Sequence, residues 1–343
     1  MTLKNLIARA SEGHPLTVEE AESAFGAIMA GDATPVEMAA LLVALRTRGH
    51  HPEEVAGGVR ALRAAMVPVH AEVDGPPLID TCGTGGGTVT TFNISTAAAL
   101  VVAAAGVRVA KHGNRSFTSR SGSADVLEAL GVVIDLTPER MSEVLHEVGI
   151  VFMFAPLLHP AMRHVGPVRR ELGIPTIMNL LGPLTNPAGA RRQVVGVSDP
   201  GLLPLVANAL ATLGHERALV VHGEAGMDEV SPMGRTRILE LRDGDVHETW
   251  ITPGDFGLPE ASASEIAGGE PEENARRIRA VLEGSDRGGA RTVVVLNAAA
   301  GLLVADQVES LAAGVEAAGA LIDSGRALAT LESLVRASRA AAG

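Results

Sequence analysis

Short segments rich in β-branched residues alternate with helix-like segments from residue 78 onward, and this alternation constrains the fold more than any other feature. We predict strands at Leu78–Asp80, Val107–Ala110, Val132–Asp135, Val151–Phe154, Gln193–Val197, Arg217–His222 and Thr292–Leu296. Helices are expected over 124–130, 138–146, 160–172, 309–322 and 326–340. The pattern is typical of an α/β domain around a largely parallel sheet. Arg237–Leu241 and Val246–Ile251 flank Arg-Asp-Gly-Asp, which predicts one antiparallel hairpin.

The first 70 residues have helical periodicity without strand-like alternation, which predicts a small helical N-terminal domain over 1–70. Thr17 with Glu20 and Thr34 with Glu37 match the capping-box pattern, and Pro52 marks the start of a further helix. The pattern changes near 69–77, so we expect the α/β domain to span 75–343. Prolines and glycines interrupt the alternation over 160–190, and we expect part of this segment to return to the helical domain.

Composition excludes several classes of protein. The net charge is −12, from 40 acidic and 28 basic residues, and it disfavours general binding to nucleic acid. A single cysteine, Cys82, excludes an intrachain disulfide and a multi-cysteine zinc site. Charges interrupt the N-terminal residues, and the most apolar stretch, Ala97–Gly106, is far shorter than the ~20 residues of a membrane span. We therefore expect a soluble, cytoplasmic protein.

Residues 83–87 read Gly-Thr-Gly-Gly-Gly and follow a predicted strand. Such a loop turns tightly and presents N–H groups to an anion, although it matches neither the dinucleotide fingerprint nor the P-loop. The glycines alone are more simply explained as a flexible turn. The following Asn93-Ile-Ser-Thr96 starts an Ala-rich helix whose free N–H groups and dipole favour a phosphate site.

A second loop combines cations with hydroxyl groups. Residues 111–123 read Lys-His-Gly-Asn-Arg-Ser-Phe-Thr-Ser-Arg-Ser-Gly-Ser and follow the strand predicted to end at Ala110. Ligands of α/β folds bind at the carboxyl ends of strands, and lysine, arginine and hydroxyl groups suit phosphate oxygens. A solvated basic surface is the alternative, but clustering of cations in so acidic a protein favours a phosphate site.

Two weaker signals complete the set. Asp228 and Glu229 are adjacent carboxylates after the strand predicted to end at His222, and such a pair can share a magnesium ion that bridges phosphates. Taken on their own, they are better explained as a solvated acidic loop. Arg169 lies near a predicted helix end, before an apolar segment broken by Pro and Gly, where it can bind a carboxylate beside an apolar ring. A surface arginine on an interdomain connection is the alternative.

Together these segments resemble the anthranilate phosphoribosyltransferases over essentially the whole chain. The matching stretches are Asn93–Thr96, Lys111–Arg115, Gly122–Asp125 and Asn179–Pro187. The resemblance implies the fold shared with nucleoside phosphorylases, a small helical domain joined to a large α/β domain. It also implies transfer of the phosphoribosyl group of phosphoribosyl pyrophosphate (PRPP) to the amine of anthranilate, with Mg²⁺ as cofactor. A homodimer through the helical domain is implied as well.

The resemblance further implies which residues form the site. Those expected to bind PRPP are Gly83, Thr84, Gly86, Gly87, Thr91, Asn93, Ile94, Ser95, Thr96, Lys111, His112, Gly113, Asn114, Arg115, Ser116, Phe117, Thr118, Ser119 and Ser123. Those expected to bind anthranilate are Gly83, Asn114 and Arg169, and those expected to bind magnesium are Ser95, Asp228 and Glu229. We assign no general base, because the aromatic amine is already neutral at physiological pH.

Gly87 departs from the family pattern, in which the glycine-rich loop commonly ends in Asp. This chain therefore lacks a carboxylate beside the expected diphosphate. Two alternative functions remain at this point: a pyrimidine nucleoside phosphorylase-like enzyme, and a non-enzymatic nucleic-acid-binding relative. The segment Asn179–Pro187 and the acidic pair favour the anthranilate enzyme over the first, and the net charge disfavours the second.

Overall fold

A computed structural model describes residues 1–71, 77–116 and 120–343. The helices are α1 (Leu3–Ser11), α2 (Val18–Ala30), α3 (Pro35–Arg48), α4 (Pro52–Ala65), α5 (Ile94–Ala104), α6 (Ser123–Ala129), α7 (Pro138–Val148), α8 (Ala155–Leu158), α9 (Met162–Leu172), α10 (Met178–Leu181), α11 (Leu202–Thr212), α12 (Pro271–Leu282), α13 (Gly289–Val304), α14 (Leu311–Asp323) and α15 (Arg326–Ala342). The strands are β1 (Leu78–Gly83), β2 (Arg108–Gly113), β3 (Ile150–Phe154), β4 (Arg192–Gly196), β5 (Arg217–Gly223), β6 (Thr236–Arg242) and β7 (Asp245–Ile251). Over these ranges, no helix is long and apolar enough to cross a membrane.

The seven strands form one sheet in the order β3-β2-β1-β4-β5-β6-β7. β1 to β5 pair in parallel, whereas β6 runs antiparallel to β5, and β7 runs antiparallel to β6. The largely parallel sheet and the antiparallel hairpin are therefore confirmed. The order of the strands reverses between β1 and β4, and ligands of open α/β sheets bind in the crevice at such a reversal.

The N-terminal helices begin at the residues that the capping patterns indicate. Thr17 and Thr34 each accept a hydrogen bond from the backbone N–H of the glutamate three positions later, and that glutamate accepts one from the threonine N–H. α9 packs against α2 and α3, and α10 packs against α4. Residues of α9, α10 and α11 share an apolar core with the N-terminal helices, and this core extends to one face of the sheet.

Two predicted strands are wrong. Thr292–Leu296 lies within α13, a helix that is buried around almost its whole circumference. A short apolar run has no periodicity that separates a core helix from a buried strand, so its valines were misleading. Val132–Asp135 is irregular, because the Val133 N–H is donated to Ser338 Oγ at 3.1 Å rather than to a neighbouring strand. The other predicted helices and strands are confirmed, with ends that differ by a few residues.

Candidate active site

The carboxyl ends of β1 and β4 lie directly against the loop that carries the acidic pair. A Cβ atom at Gly196 would lie 1.6 Å from the backbone oxygen of Asp228, and one at Gly83 would lie 2.5 Å from Asp228 Oδ2. Only a residue without a side chain permits such a close approach. The glycines that end these two strands therefore determine where Asp228 stands.

The glycine-rich loop after β1 turns at Gly85 and Gly86, which have φ values of 69° and 81°. The Gly85 N–H is donated to Asp228 Oδ2 at 2.8 Å, and the Thr84 N–H is donated to the Gly196 carbonyl at 2.9 Å. The N–H groups of Gly86 and Gly87 have no acceptor among the residues that the structure describes. The loop thus binds the acidic pair through one N–H and leaves two available to an anion.

At Gly87 the constraint on a side chain is space rather than backbone conformation. It is not among the glycines with positive φ. A Cβ atom at this position would lie 2.8 Å from the Gly226 carbonyl oxygen and 3.6 Å from Asp228 Oδ1. The aspartate of the family pattern would therefore stand beside Asp228 and add a third carboxylate to the acidic pair.

Lys111 is buried between β1, β2 and the start of α5. Its Nζ donates to the Thr81 carbonyl at 2.6 Å and to Ser95 Oγ at 3.2 Å. Burial lowers the pKa of Lys111, and the nearby Asp80 carboxylate opposes that shift. Because an ammonium group has three donors, one N–H of Lys111 remains for a ligand.

Asp80 is a site residue that the sequence interpretation does not assign. Its carboxylate is 0% exposed and accepts hydrogen bonds from Asn186 Nδ2 at 2.9 Å and from the His112 N–H at 3.3 Å. Burial raises the pKa of Asp80 to about 6. Asn186 also donates to the Ala110 carbonyl at 2.8 Å, so this amide joins β1 and β2 to the segment after α10. A charged residue within an apolar strand is the signal that could have identified Asp80.

The acidic pair lies beside Ser95 and Lys111. Glu229 accepts a hydrogen bond from the backbone N–H of Ser95, and the charge of Lys111 acts on its carboxylate. Burial and the neighbouring Asp228 raise the pKa of Glu229 to about 8. The fold thus brings together the three residues expected to bind magnesium.

Asn297 holds the acidic loop in place and is also absent from the sequence interpretation. This residue of α13 is 3% exposed. Its amide accepts the Val230 N–H and donates to the Val230 carbonyl, both at 2.9 Å. A strand over residues 292–296, which the valines suggest, gives no reason to expect the next residue, Asn297, to contact the acidic loop.

The donor set fits a magnesium ion bound together with phosphate oxygens. Asp228 and Glu229 supply carboxylates, and Ser95 supplies a hydroxyl group. No group of three or more His, Cys, Asp or Glu side chains converges on one point in the described parts of the chain. Magnesium usually takes one or two carboxylates and completes its shell with water and phosphate. Burial and, second to it, the charge of Asp228 both disfavour the ionised form of Glu229, and a bound cation would favour that form.

The basic loop, residues 111–123, is organised by Asp125. The Asp125 carboxylate accepts hydrogen bonds from the N–H groups of Gly122 at 2.8 Å and Ser116 at 3.2 Å. Arg115 forms ion pairs with Asp125 at 2.8 Å and with Glu128 at 2.5 Å. Its guanidinium is therefore engaged by carboxylates of the protein rather than presented alone to a phosphate. Three further residues expected in this loop lie outside the described residues, namely Phe117, Thr118 and Ser119.

His112 and His159 face each other at the end of β2. Their Nε2 atoms are 3.2 Å apart and their ring centroids 5.0 Å apart. Burial lowers the pKa of His112 to about 3 and that of His159 to about 4, so both imidazoles are neutral at physiological pH. The pair connects β2 to the segment between α8 and α9. His159 has no sequence signal beyond its position before Pro160.

Several other expected residues have structural partners. Asn93 is hydrogen-bonded to Ser121. Ser123 Oγ donates to the Asn114 carbonyl at 3.3 Å. Ile94 is fully buried and donates its N–H to the Phe92 carbonyl at 2.7 Å. The structure therefore gives Ile94 a packing role in the core, and its expected contact with PRPP stays a prediction.

Thr91 and Thr96 flank the same turn. Thr91 forms an antiparallel bridge with Ala267. Thr96 is 1% exposed, and its Oγ1 has no hydrogen-bond partner among the described residues. Ser95, between Asn93 and Thr96, is the residue of this segment whose hydroxyl faces Lys111.

Arg169 lies in the last turn of α9, which ends at Leu172 and is followed by the capping residue Gly173. It is half-buried, and burial lowers the pKa of its guanidinium. No carboxylate within residues 1–71, 77–116 and 120–343 pairs with this guanidinium, and no carbonyl in these ranges accepts a hydrogen bond from it. A partly desolvated cation without a counterion favours an anionic ligand.

Comparison with known proteins identifies the class to which this fold and site belong. Residues 75–328 match the model of the glycosyl transferase family, a/b domain, and residues 4–66 match that of the helical bundle domain of the same family. An anthranilate phosphoribosyltransferase of Rubrobacter xylanophilus is 52% identical over 341 residues, which cover 99% of each chain. The chain therefore belongs to the anthranilate phosphoribosyltransferase family.

Solved structures agree with this assignment. Anthranilate phosphoribosyltransferase from Thermus thermophilus is 47% identical and superposes with a TM-score of 0.92, over 97% of this chain and 99% of that one. The Saccharomyces cerevisiae enzyme in complex with PRPP and Mg is 28% identical, with a TM-score of 0.88 and 98% of both chains covered. The same yeast enzyme with 4-fluoroanthranilate is 27% identical, with a TM-score of 0.86 and 99% of both chains covered.

Proposed function

We propose that this chain transfers the phosphoribosyl group of PRPP to the amine of anthranilate, releasing diphosphate and N-(5-phosphoribosyl)anthranilate. The observation that carries the proposal is the convergence of Lys111, Ser95 and Glu229 beside the glycine-rich loop, at the carboxyl edge of the sheet. Family membership supports it, as do the yeast complexes with PRPP and Mg and with 4-fluoroanthranilate. Neither the nucleoside phosphorylase nor the nucleic-acid-binding alternative gains support from these relatives.

In the proposed reaction, the bond between the ribose anomeric carbon and the diphosphate oxygen breaks, and a bond to the anthranilate nitrogen forms. The nitrogen then loses one proton to solvent. The transition state has oxocarbenium character, and negative charge accumulates on the departing diphosphate. The free N–H groups of Gly86 and Gly87 and the remaining N–H of Lys111 would stabilise that charge.

Magnesium would be held by Asp228, Glu229 and the Ser95 hydroxyl, and when bound it would supply positive charge at the diphosphate. The amine needs no strong base, so catalysis would depend mainly on positioning and electrostatics. Closure of the helical domain onto the α/β domain would exclude water from the activated ribose.

A fluorescence assay tests the reaction directly. Anthranilate fluorescence should fall only when the purified protein, PRPP and Mg²⁺ are all present. A fall without PRPP, or no fall with all components present, would contradict the proposed activity.

The organisation of the chain is part of the proposal. We place the helical domain at 1–70 with part of 160–190, and the PRPP-binding domain at 75–343. The shared core of α9 and α10 with the N-terminal helices supports this division. Val36 and Val43 lie seven residues apart on one face of α3 and are 78% and 37% exposed, which supports a homodimer through the helical domain. Biosynthetic function suits a cytoplasmic location, and light scattering tests the assembly.

Arg169→Ala is expected to weaken the use of anthranilate by roughly ten- to a hundredfold, because a hydrogen bond to a charged group contributes about 1.5–3 kcal/mol. Affinity for PRPP should change little, since Arg169 lies on α9 and is not among the residues expected to bind PRPP. Steady-state KM values for both substrates measure the effect. Arg170→Ala, at the exposed neighbouring position, is the matched control. Equal losses for both substrates in a folded Arg169→Ala protein would argue against the assignment.

Gly87→Asp is expected to make the active parent more sensitive to inhibition by excess magnesium. The new carboxylate would stand beside Asp228 and recruit additional metal. At an effective dielectric constant of about 20, two unit charges ~5 Å apart interact by about 3 kcal/mol before screening. Turnover measured from limiting to excess Mg²⁺ tests this.

Gly87→Asn is the control for that experiment, because its Cβ meets the same Gly226 carbonyl without adding a charge. Any loss of turnover in Gly87→Asn should be the same factor at every magnesium concentration. Matching magnesium curves for Gly87→Asp and the parent would mean that position 87 does not influence the metal. An inactive parent rescued by Gly87→Asp would mean that the site has degenerated.

A further inference from the structure

Asn274 is a buried asparagine of α12 whose side chain is hydrogen-bonded through both its oxygen and its nitrogen. It is 2% exposed. Its Oδ1 accepts the Gly269 N–H at 2.8 Å, and its Nδ2 donates to Asn93 Oδ1 at 3.0 Å. The Asn274 amide therefore joins the segment before α12 to the residue that precedes α5.

Asn93 is in turn hydrogen-bonded to Ser121 of the basic loop. Its Nδ2 donates to the Ser121 carbonyl at 3.1 Å, and its Oδ1 accepts the Ser121 hydroxyl at 3.2 Å. Because Asn274 donates to Asn93 Oδ1, the Asn93 amide is oriented with its nitrogen toward the Ser121 carbonyl. The orientation of one buried amide thus determines how the next one binds the loop.

The segment before α12 also lies against the chain that leads to α5. The Phe92 N–H is donated to the Ile266 carbonyl at 3.1 Å, and the Gly268 N–H is donated to the Thr90 carbonyl at 3.3 Å. A Cβ atom at Gly268 would lie 2.2 Å from the Thr91 carbonyl oxygen. Residues 266–269 therefore pack directly against residues 90–92, which lead into α5.

We propose that Asn274 is a positioning residue for PRPP binding: through Asn93 it holds the start of α5 and residue 121 of the basic loop in one fixed arrangement. The inference rests on the proposed function, because both segments are expected to bind PRPP. Asn274 itself touches neither substrate in this proposal. It contributes by reducing the number of arrangements that the two segments adopt before PRPP binds.

Asn274→Asp tests the proposal with almost no change in size. The carboxylate keeps an oxygen for the Gly269 N–H but cannot donate to Asn93 when ionised. The Asn93 amide would turn its nitrogen toward the new carboxylate, and its oxygen would then face the Ser121 carbonyl. We expect KM and Kd for PRPP to rise about tenfold, with KM for anthranilate and kcat at saturating PRPP within a factor of about three.

Ser338→Ala is the matched control, because it removes a buried hydrogen bond from the Val133 N–H to Ser338 Oγ that involves neither Asn93 nor the basic loop. It should lower thermal stability without changing KM for PRPP. A similar rise in KM for PRPP in Ser338→Ala would show that general destabilisation explains the effect. Equal rises in KM for both substrates in Asn274→Asp would overturn the positioning role.

A double-variant cycle examines the route through Asn93. If Asn274 acts through Asn93, Asn274→Ala should raise Kd for PRPP in the parent but have no further effect in an Asn93→Ala background. Additive effects would contradict the proposal. Should Asn274→Asp fail to fold, Asn274→Ala and Asn274→Ser serve in its place, and loss of folding in all three would leave Asn274 a stability residue and refute the positioning role.

Hydrogen–deuterium exchange of the unliganded proteins separates this inference from the proposed function. Faster exchange around residues 92–96 and 120–123 in Asn274→Asp, with parent exchange elsewhere, would support the positioning role even if the fluorescence assay showed no transfer to anthranilate. Unchanged exchange in both segments would contradict the positioning role even if the parent were an active transferase.

Discussion

Gly196→Ala is expected to lower turnover by about 100-fold or more, because displacing a catalytic group by ~1 Å can have an effect of this size. The added Cβ would lie 1.6 Å from the Asp228 backbone oxygen, so the acidic loop would have to move. Overpacking of this kind also costs about 1–3 kcal/mol of stability. Measurements of kcat, thermal unfolding and magnesium requirement on the same preparations would record the displacement.

Gly26→Ala is the control for this substitution. Gly26 lies within α2, and a Cβ there would meet no other atom within 4 Å. Activity should be unchanged, and stability should rise by up to about 1 kcal/mol, because alanine favours a helix more than glycine does. Parent-like kcat in Gly196→Ala would show that the acidic loop relaxes away from β4 without consequence, and that its position is not critical.

Replacing Asp228 by Asn and Glu229 by Gln together is expected to lower turnover by at least ~100-fold at magnesium concentrations that saturate the parent, because a metal supplies several kcal/mol of charge stabilisation. The magnesium requirement should rise strongly. The substitution Asp228→Asn keeps a side-chain oxygen for the Gly85 N–H, so the loop should remain in place. Magnesium titrations followed by activity and by calorimetry measure both effects.

Glu224→Gln provides the comparison for the acidic pair. Glu224 is an exposed residue of the same region, and its carboxylate pairs with Arg235 at 2.9 Å. Its removal also eliminates a negative charge near the loop but should leave the magnesium curve unchanged. If the curve of the Asp228→Asn, Glu229→Gln protein coincided with that of the parent, the acidic pair would not bind the metal.

The two experiments separate position from charge. Gly196→Ala moves the carboxylates without removing them, whereas the double substitution removes their charge without enlarging any side chain. Loss of activity in both would show that the site needs two carboxylates at one particular place. Loss in the second alone would show that charge matters and that the loop tolerates displacement.

Much of the fold was predictable because its signals are local. The capping residues Thr17 and Thr34 satisfy the first N–H groups of their own helices, so the pattern and the structure coincide. The hairpin of β6 and β7 was equally predictable from its turn residues. α13 was not, because a run of valines surrounded by protein has no exposed face to reveal a helical period.

The residues of the candidate site also divide into those with a local sequence signal and those without one. Glycine-rich and basic segments were recognisable because phosphate binding needs free N–H groups and cations close together along the chain. Asn297 and Asn274 were not recognisable, because each acts on a backbone group or side chain that is distant in sequence. Asp80 had one local signal, its charge within an apolar strand, but its partner Asn186 is distant in sequence. Arg115 shows the opposite case, since its sequence position suggests a ligand contact and the fold pairs it with Asp125.

The sequence by itself determined that the N-terminal segment is helical and that alternating strands and helices form a parallel sheet. It also determined which residue types can bind phosphate and metal. Each of these depends on neighbours within a few positions. Only the tertiary structure decided that Asp228 lies against Gly196 and Gly83, and that Lys111 is buried beside Ser95. The physical reason is that these contacts join strand ends far apart along the chain, which meet only when β1, β2, β4 and β5 lie side by side in one sheet.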